Sequence, residues 1–156
     1  MTPRETIDAG ETLQIILPFP PSVNGYWRSI VRGKGPKAYP AQIISEAGRE
    51  YITAVASTVY KQSIGDLFND RKVSLEIHLH PRRRGSDIDN FTKGLFDALT
   101  KSGVWNDDSQ IVRCSTRMRK PIKGGFVVLY ARLATPEEID ETETFEVAPA
   151  IAAVRM

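Results

Sequence analysis

The stretch VSLEIHLH, residues 73–80, constrains the fold more than any other part of the chain. Apolar and polar residues alternate along it without exception. This period of two predicts a half-buried β-strand, because successive side chains of a strand point to opposite faces. The apolar face consists of Val73, Leu75, Ile77 and Leu79. We expect the strand to end at Pro81.

The polar face of this strand carries Glu76, His78 and His80. Imidazole and carboxylate groups are metal ligands, so a metal site is one interpretation of this face. Histidine on the open face of a strand is more commonly solvated. We therefore favour a solvated polar face.

The first 60 residues predict one strand, one long loop and one helix. Thr12–Leu17 is a short apolar run suited to a strand. Residues 18–40 contain several prolines and glycines, which predict a long loop. From Ala41 to Tyr60 the apolar residues recur every three or four positions, as in an amphipathic helix.

A second helix is predicted from Asn90 to Ser102. Asp89 precedes it as an N-cap, and Gly103 follows as the usual stop signal. The stripe expected to be buried consists of Phe91, Leu95, Ala98 and Leu99. The opposite side carries Asn90, Lys93 and Asp97.

Two further strands follow, Gln110–Met118 and Phe126–Leu133, with a KGG turn at residues 123–125 between them. We predict that they form a β-hairpin. The whole order predicts an α+β domain with a mixed or antiparallel sheet, two main helices and a C-terminal β-hairpin. Its expected bounds are residues 12–134, after a flexible N-terminus at 1–11 and before an acidic, disordered tail at 135–156.

Length and composition agree with one globular domain. The chain has 156 residues, of which 41% are hydrophobic and 26% charged, enough to bury a core without disulfides. The single cysteine, Cys114, and the absence of an apolar leader favour a reducing, cytoplasmic setting. No segment approaches the roughly 20 apolar residues of a membrane span.

The net charge hides an asymmetry. The chain carries +2, while six acidic residues and one arginine from Pro136 onward give that tail −5. The remaining residues therefore carry +7. An excess of this size either attracts a polyanion such as nucleic acid or simply keeps a surface solvated.

The stretch GSDIDNFTKGLFDALTKSGVWNDDSQ, residues 85–110, places acidic pairs on both flanks of the second helix. In extended chain, Asp87 and Asp89 point the same way while Ile88 turns into the core. If the turn with Asp107 and Asp108 returns beside them, three or four carboxylates meet. Such a group of oxygen ligands suits Mg²⁺ or Mn²⁺.

Each of these features also has an ordinary structural explanation. A D-x-D-N motif can be an N-cap with an Asx-turn, and N-D-D is common in turns. Together with Lys93 and the basic PRRR of residues 81–84, they supply what metal-dependent phosphodiester cleavage requires. A manganese site for a nucleotide sugar is the alternative, but no Gly-rich phosphate loop follows a strand.

The sequence resembles the RusA family of Holliday junction resolvases, which occurs in phages and bacterial prophages. The resemblance covers about residues 12–134 and rests on ILPFPPSVNGYWR, DIDNFTKGLFDALTKSGVWNDDSQIV and KGGFVVLYARL. D-x-D-N-x-x-K followed by F-D-A-L and G-x-W-x-D-D is specific as a combination. In the family, arginines run directly into the first aspartate, whereas here Gly85 and Ser86 separate the arginine run from it.

The resemblance implies specific roles. Asp87, Asp89 and Asp108 match the family's catalytic, metal-binding aspartates, and Lys93 matches its catalytic lysine. Asp107 is the neighbour of a ligand and a further candidate metal ligand. It implies a homodimer that uses Mg²⁺ or Mn²⁺ to nick two opposed strands of a four-way DNA junction. A protein that binds such junctions without cutting them is the alternative.

Basic residues outside this motif are expected to hold flanking DNA phosphates. They are Arg28, Arg32, Lys34, Arg82, Arg83 and Arg84, with Lys93 at the scissile phosphate. Tyr26 and Trp27 either stack on bases opened at the crossover or belong to the core, and we favour the core.

Overall fold

The computed structural model describes residues 1–143 of the chain. The elements in this range are α1 (Pro3–Asp8), β1 (Leu13–Pro18), α2 (Val23–Tyr26), β2 (Trp27–Arg32), β3 (Tyr39–Ile44), α3 (Glu46–Gln62), β4 (Val73–His80), α4 (Thr92–Lys101), β5 (Ile111–Met118), β6 (Phe126–Leu133) and α5 (Pro136–Glu143). Short 3-10 turns lie at Gly35–Lys37, Ile88–Asn90 and Asp108–Gln110. The predicted α+β class is confirmed.

The main sheet has four strands in the order β1-β6-β4-β5. β6 pairs antiparallel with both β1 and β4, whereas β5 pairs parallel with β4. The predicted mixed sheet is confirmed, but the predicted β5–β6 hairpin is wrong. A parallel pair needs a crossover between its strands, and α4 provides it between β4 and β5.

The core lies between one face of this sheet and the two longest helices, α3 and α4, which were predicted as the main helices. The alternating residues of β4 are buried as predicted, since Val73, Leu75, Ile77 and Leu79 are at most 1% exposed. The predicted stripe of α4 is also confirmed: Phe91, Leu95, Ala98 and Leu99 are buried.

Residues 18–40, predicted as one long loop, contain a short helix and most of a two-stranded sheet. After α2, strands β2 and β3 pair antiparallel, with Arg32 opposite Tyr39. Pro40 is tolerated because both strands of a two-stranded sheet have a free edge. Gly33, with a φ of +82°, permits the reversal of the chain between them.

Helix α3 begins later than predicted, because residues 41–44 belong to β3. The Ser45 hydroxyl accepts a hydrogen bond from the Gly48 N–H, which marks the start of the helix. The helix ends after Gln62, where Ser63 adopts a left-handed conformation. Over residues 1–143, no helix has the length and apolar character needed to cross a membrane.

The N-terminus, predicted to be flexible, begins with helix α1. Thr2 and Glu5 form a capping box at its start. Ile7 is fully buried in the core, and Asp8 forms a 2.8 Å salt bridge with Arg71. This segment is too short for a helical repeat of apolar residues to be recognised in the sequence.

The acidic tail, predicted to be disordered, forms helix α5 over residues 136–143. Glu138 joins this helix to the main sheet through a bidentate contact with Arg132, with oxygen to nitrogen distances of 2.6 Å and 3.0 Å. Paired charge thus holds in place a helix without buried residues, in a segment whose composition alone suggests disorder. Residues 144–156 of the predicted tail lie outside the described residues.

Candidate active site

The acidic motif before α4 forms a 3-10 turn at Ile88–Asn90. α4 itself begins at Thr92 with Phe91 as N-cap, so the prediction that Asp89 caps this helix is wrong. Ile88, expected in the core, is 42% exposed. The Asp87 side chain makes no capping hydrogen bond. Both carboxylates in this turn are therefore exposed and not used to stabilise the helix start.

The basic segment in front of this turn is exposed as well. Arg82 donates a 3.3 Å hydrogen bond to the carbonyl of Gly124, which joins it to the turn before β6. Arg83 and Arg84 are exposed. Gly85, which with Ser86 separates the arginines from Asp87, has a φ of +84°, a conformation that glycine adopts without strain. It therefore permits a change of chain direction between the arginines and Asp87.

Gln110 holds the second acidic turn in place, and sequence reasoning did not single it out. Its side-chain oxygen accepts hydrogen bonds from the N–H groups of Asn106 and Asp107, both at 2.9 Å. Its side-chain nitrogen donates to the carbonyls of Asn69 and Arg71. Gln110 is only 6% exposed. This one buried amide therefore fixes the position of the turn that carries Asp107 and Asp108.

The electrostatics of this turn are those of crowded carboxylates. Partial desolvation raises the pKa of Asp108, and the adjacent Asp107 and the charge of Asp97 raise it further. The pKa of Asp107 is lowered, mainly by the backbone N–H of Ser109. Bound positive charge would favour the ionised form of Asp108.

The two acidic pairs do not meet as predicted. The charge that acts on Asp108 across α4 comes from Asp97, whereas neither Asp87 nor Asp89 contributes to its pKa shift. Residues 1–143 contain no group of three or more His, Cys, Asp or Glu side chains placed to hold a metal ion. The turn packs against α4, and the assignment of metal ligands stays a prediction.

Asp97 is the residue that connects this turn to the rest of the site. Its carboxylate accepts a 2.5 Å hydrogen bond from the Tyr26 hydroxyl and a 2.9 Å hydrogen bond from the Lys101 ammonium group. The sequence signal for this role is the spacing of four between Lys93, Asp97 and Lys101, which aligns them on one side of the helix.

The predicted catalytic lysine lies on the same side of α4. The Lys93 ammonium group sits 5.0 Å from the centre of the Trp27 ring, a cation–π contact. Trp27 is partly buried and packs against Tyr26 at 4.2 Å between ring centres. Tyr26 is fully buried, as expected for a core residue, while Trp27 keeps an exposed portion beside Lys93.

The remaining predicted DNA contacts lie on the β2–β3 hairpin. Arg28 and Arg32 belong to β2, Lys34 follows in the connecting turn, and all three are exposed. The two histidines on the polar face of β4 contact other groups of the protein. His78 contacts Glu76 at 2.9 Å, and His80 contacts the carbonyl of Lys120 at 3.0 Å. The prediction of a solvated face is wrong for His78, whose side chain is 13% exposed and packs against the ring of Tyr130.

Comparison with known proteins connects these features. Residues 18–128 match the family model of endodeoxyribonuclease RusA. The chain is 40% identical over 115 residues to the crossover junction endodeoxyribonuclease of Enterobacteria phage 82, which covers 73% of this chain and 88% of the relative. The enzymes of the same name from Escherichia coli strain K12 and Shigella sonnei are 38% identical with the same coverage.

The matched region runs from the end of β1 into β6 and includes both acidic turns, Lys93 and every predicted DNA-contacting residue. This chain therefore belongs to the RusA family of endodeoxyribonucleases.

Proposed function

We propose that this protein is a homodimeric endodeoxyribonuclease that resolves four-way DNA junctions by paired, symmetric nicks. It acts with Mg²⁺, for which Mn²⁺ can substitute, in DNA recombination and repair in the cytoplasm. The observation that carries the proposal is the family match over residues 18–128, since relatives in this family are named crossover junction endodeoxyribonucleases.

The acidic residues fit Mg²⁺ in their donor chemistry. None of the salt bridges within residues 1–143 uses Asp87, Asp89 or Asp108, so no protein cation competes for them. Mg²⁺ is usually held by one or two carboxylates, with water and substrate phosphates as its other ligands. A preassembled set of three carboxylates is therefore not required. When bound, the metal supplies Lewis-acid stabilisation of charge on the phosphate.

The basic residues supply the rest of the chemistry. Lys93, an exposed residue four positions after Asp89 in the sequence, neutralises charge that develops on the scissile phosphate. Arg83 and Arg84 bind phosphates on either side of it. Arg28, Arg32 and Lys34 extend this positive surface along the β2–β3 hairpin.

The dimer follows from the form of the substrate. A four-way junction presents two equivalent strands, and a symmetric pair of nicks needs two equivalent sites. A two-fold dimer provides both sites in one complex.

Cleavage of an end-labelled four-way junction tests this function. We expect paired nicks near the crossover with wild type and Mg²⁺, none with EDTA, and little cutting of a linear duplex of the same sequence. Asp89→Asn should lower the rate by at least about a hundredfold, because it removes a carboxylate charge from the motif. Asp70→Asn, a change at an exposed aspartate outside the motif, serves as the matched control. Equal rates for the two variants would remove Asp89 from the site.

A second candidate function is binding of four-way junctions without cleavage. The observation in its favour is that the described residues contain no ready group of three metal-binding side chains. Tight binding in EDTA, together with intact DNA in both Mg²⁺ and Mn²⁺ across several junction sequences, would establish this candidate instead.

A further inference from the structure

A polar pocket of about 290 Å³ opens between the β2–β3 hairpin and α4. Its functional lining consists of Asn24, Trp27, Arg28, Ser29, Gln42 and Lys93. None of its lining residues is acidic, and two are basic. The pocket therefore favours a ligand with negative charge.

The hairpin builds one wall of the pocket from residues in register. Ser29 lies directly opposite Gln42 in the β2–β3 pair, and Trp27 precedes Ser29 by two positions, so all three belong to one face. The buried ring of Tyr26 packs against the ring of Trp27 and holds it in place. The wall is thus an aromatic ring beside a hydroxyl and an amide.

The amide groups of the pocket are free to bind a ligand. In the described part of the chain, no hydrogen bond uses the side chain of Asn24 or Gln42, and no salt bridge uses Arg28 or Lys93. The Lys93 ammonium group lies over the Trp27 ring, a contact weak enough for a phosphate to displace. An amide side chain offers two donor hydrogens and one acceptor oxygen. These donors and acceptors match the hydrogen-bonding edge of a nucleobase. An aromatic ring can in turn stack on the flat face of the base.

We propose that this pocket binds one unstacked nucleotide of the strand that is cut, and that Asn24 and Gln42 select its base. The phosphate draws Lys93 away from the face of Trp27 that its ammonium group covers, and the base takes its place against that ring, within reach of the two amides. The inference rests on the proposed nuclease function, because Lys93 belongs to both the pocket and the acidic motif. It adds a base-selecting subsite to that function.

The position of nicks in a library of four-way junctions with randomised crossover sequences tests the inference. Wild type should prefer one base at a fixed position next to the nick. Asn24→Ala and Gln42→Ala should each reduce the ratio between the most and least preferred base about tenfold, as expected for loss of one amide contact to a base. Gln14→Ala, a change at an exposed glutamine on β1, should leave the ratio unchanged.

A second measurement does not depend on cleavage. Junctions with 2-aminopurine at that position report a change in the stacking of the base through a change in fluorescence, and binding is followed in EDTA. The change in fluorescence, of either sign, on binding wild type and Gln14→Ala should be at least about twice that on binding Gln42→Ala, because stacking and amide contacts hold the base in the pocket. Thermal melting verifies that all variants are folded.

The outcomes separate the two proposals. If wild type neither binds nor nicks junctions, the nuclease function and the subsite both fail. If wild type nicks junctions while Gln42→Ala and Gln14→Ala give the same base preference and the same fluorescence, the subsite alone is overturned.

Discussion

The hydroxyl of Tyr26 donates a 2.5 Å hydrogen bond to Oδ2 of Asp97. Tyr26 is buried at the end of α2, and Asp97 lies in the middle of α4, 71 residues later in the chain. Together with the contact between Lys93 and the Trp27 ring, it joins the hairpin that carries Arg28 to helix α4. Burial and the Asp97 carboxylate both raise the pKa of Tyr26, so its hydroxyl keeps its proton and remains the donor.

Tyr26→Phe should lower the free energy of unfolding by about 1.5 kcal/mol. The change removes a hydrogen bond to a charged group but leaves Asp97 paired with Lys101 and partly hydrated. Urea denaturation measures the loss. Tyr60→Phe is the control, because Tyr60 is 86% exposed. Equal unfolding free energies for the two variants would show that the Tyr26–Asp97 contact does not stabilise the fold.

Gly48→Ala should destabilise the protein by about 2 kcal/mol, although alanine favours helix more than glycine does. A Cβ atom at residue 48 would lie 2.5 Å from the Tyr26 carbonyl oxygen and 2.7 Å from Cγ2 of Ile44. The backbone of the hairpin would have to move away from α3. Gly65→Ala, whose Cβ would meet nothing closer than Val59 at 3.9 Å, is the control for thermal or urea unfolding. A Gly48→Ala protein as stable as wild type would contradict this packing.

Glu138 should make stability depend on pH in acid. Its hydrogen bonds with Arg132 lower its pKa from the ordinary 4.5 to about 2. A lowered pKa in the folded state means that the stabilisation is complete above pH 4.5 and is lost as the pH falls toward 2.

Glu138→Gln should therefore lower the free energy of unfolding by about 1 kcal/mol at neutral pH, a value reduced for solvent screening. Near pH 3 the difference from wild type should shrink to less than half. Urea denaturation at both pH values measures it, with Glu137→Gln on the exposed side of α5 as control. A difference that is the same at both pH values would rule out the charge of Glu138 as its source.

Divalent metal should stabilise the protein through the acidic motif. Mg²⁺ or Mn²⁺ at millimolar concentration should raise the Tm of wild type by a few degrees, since a ligand that binds only the folded state stabilises it. The increase should be at least halved in Asp89→Asn and retained in Asp70→Asn. Identical increases in all three proteins would place the metal elsewhere.

The salt dependence of junction binding should report the arginines before the motif. Each phosphate neutralised on a duplex arm contributes roughly 0.9 to the slope of log K against log salt. Arg83→Gln combined with Arg84→Gln should therefore reduce the slope by about 1.8. Lys61→Gln near the end of α3 is the control. Titrations in EDTA at several salt concentrations measure binding without cleavage, and an unchanged slope would exclude both arginines as phosphate contacts.

The strands and helices in which apolar residues recur regularly along the whole element were predictable from the sequence. The alternation at residues 73–80 and the apolar stripe of α4 each indicate one buried face, and both are confirmed. Pairing was not predictable in the same way. β5 and β6 are close in sequence, but nothing in either strand specifies that β5 pairs with β4. The hairpin at residues 27–44 was missed because its prolines and glycines also suit a loop.

In the candidate site, too, the residue types were predictable from the sequence, whereas their positions relative to one another were not. The acidic residues and Lys93 are visible in the sequence because their spacing is specific. The course of the chain after α4 is not visible, because it depends on the contacts that buried Gln110 makes with the distant residues Asn69 and Arg71. The carboxylate of α4 whose charge raises the pKa of Asp108 is that of Asp97, which the pattern of paired aspartates does not indicate.

The central position of β6 determines when this protein can fold during its synthesis. Among residues 1–143, β1 pairs only with β6 in the main sheet, and Leu13 lies opposite Ala131. While the ribosome is still adding residues, the apolar face of β1 therefore lacks its partner strand until nearly the whole domain has emerged. Such long-range pairing is slow and leaves apolar surface exposed for that time. A chain terminated before Phe126 would lack the strand that joins β1 to β4, so incomplete products should be recognised as unfolded and degraded.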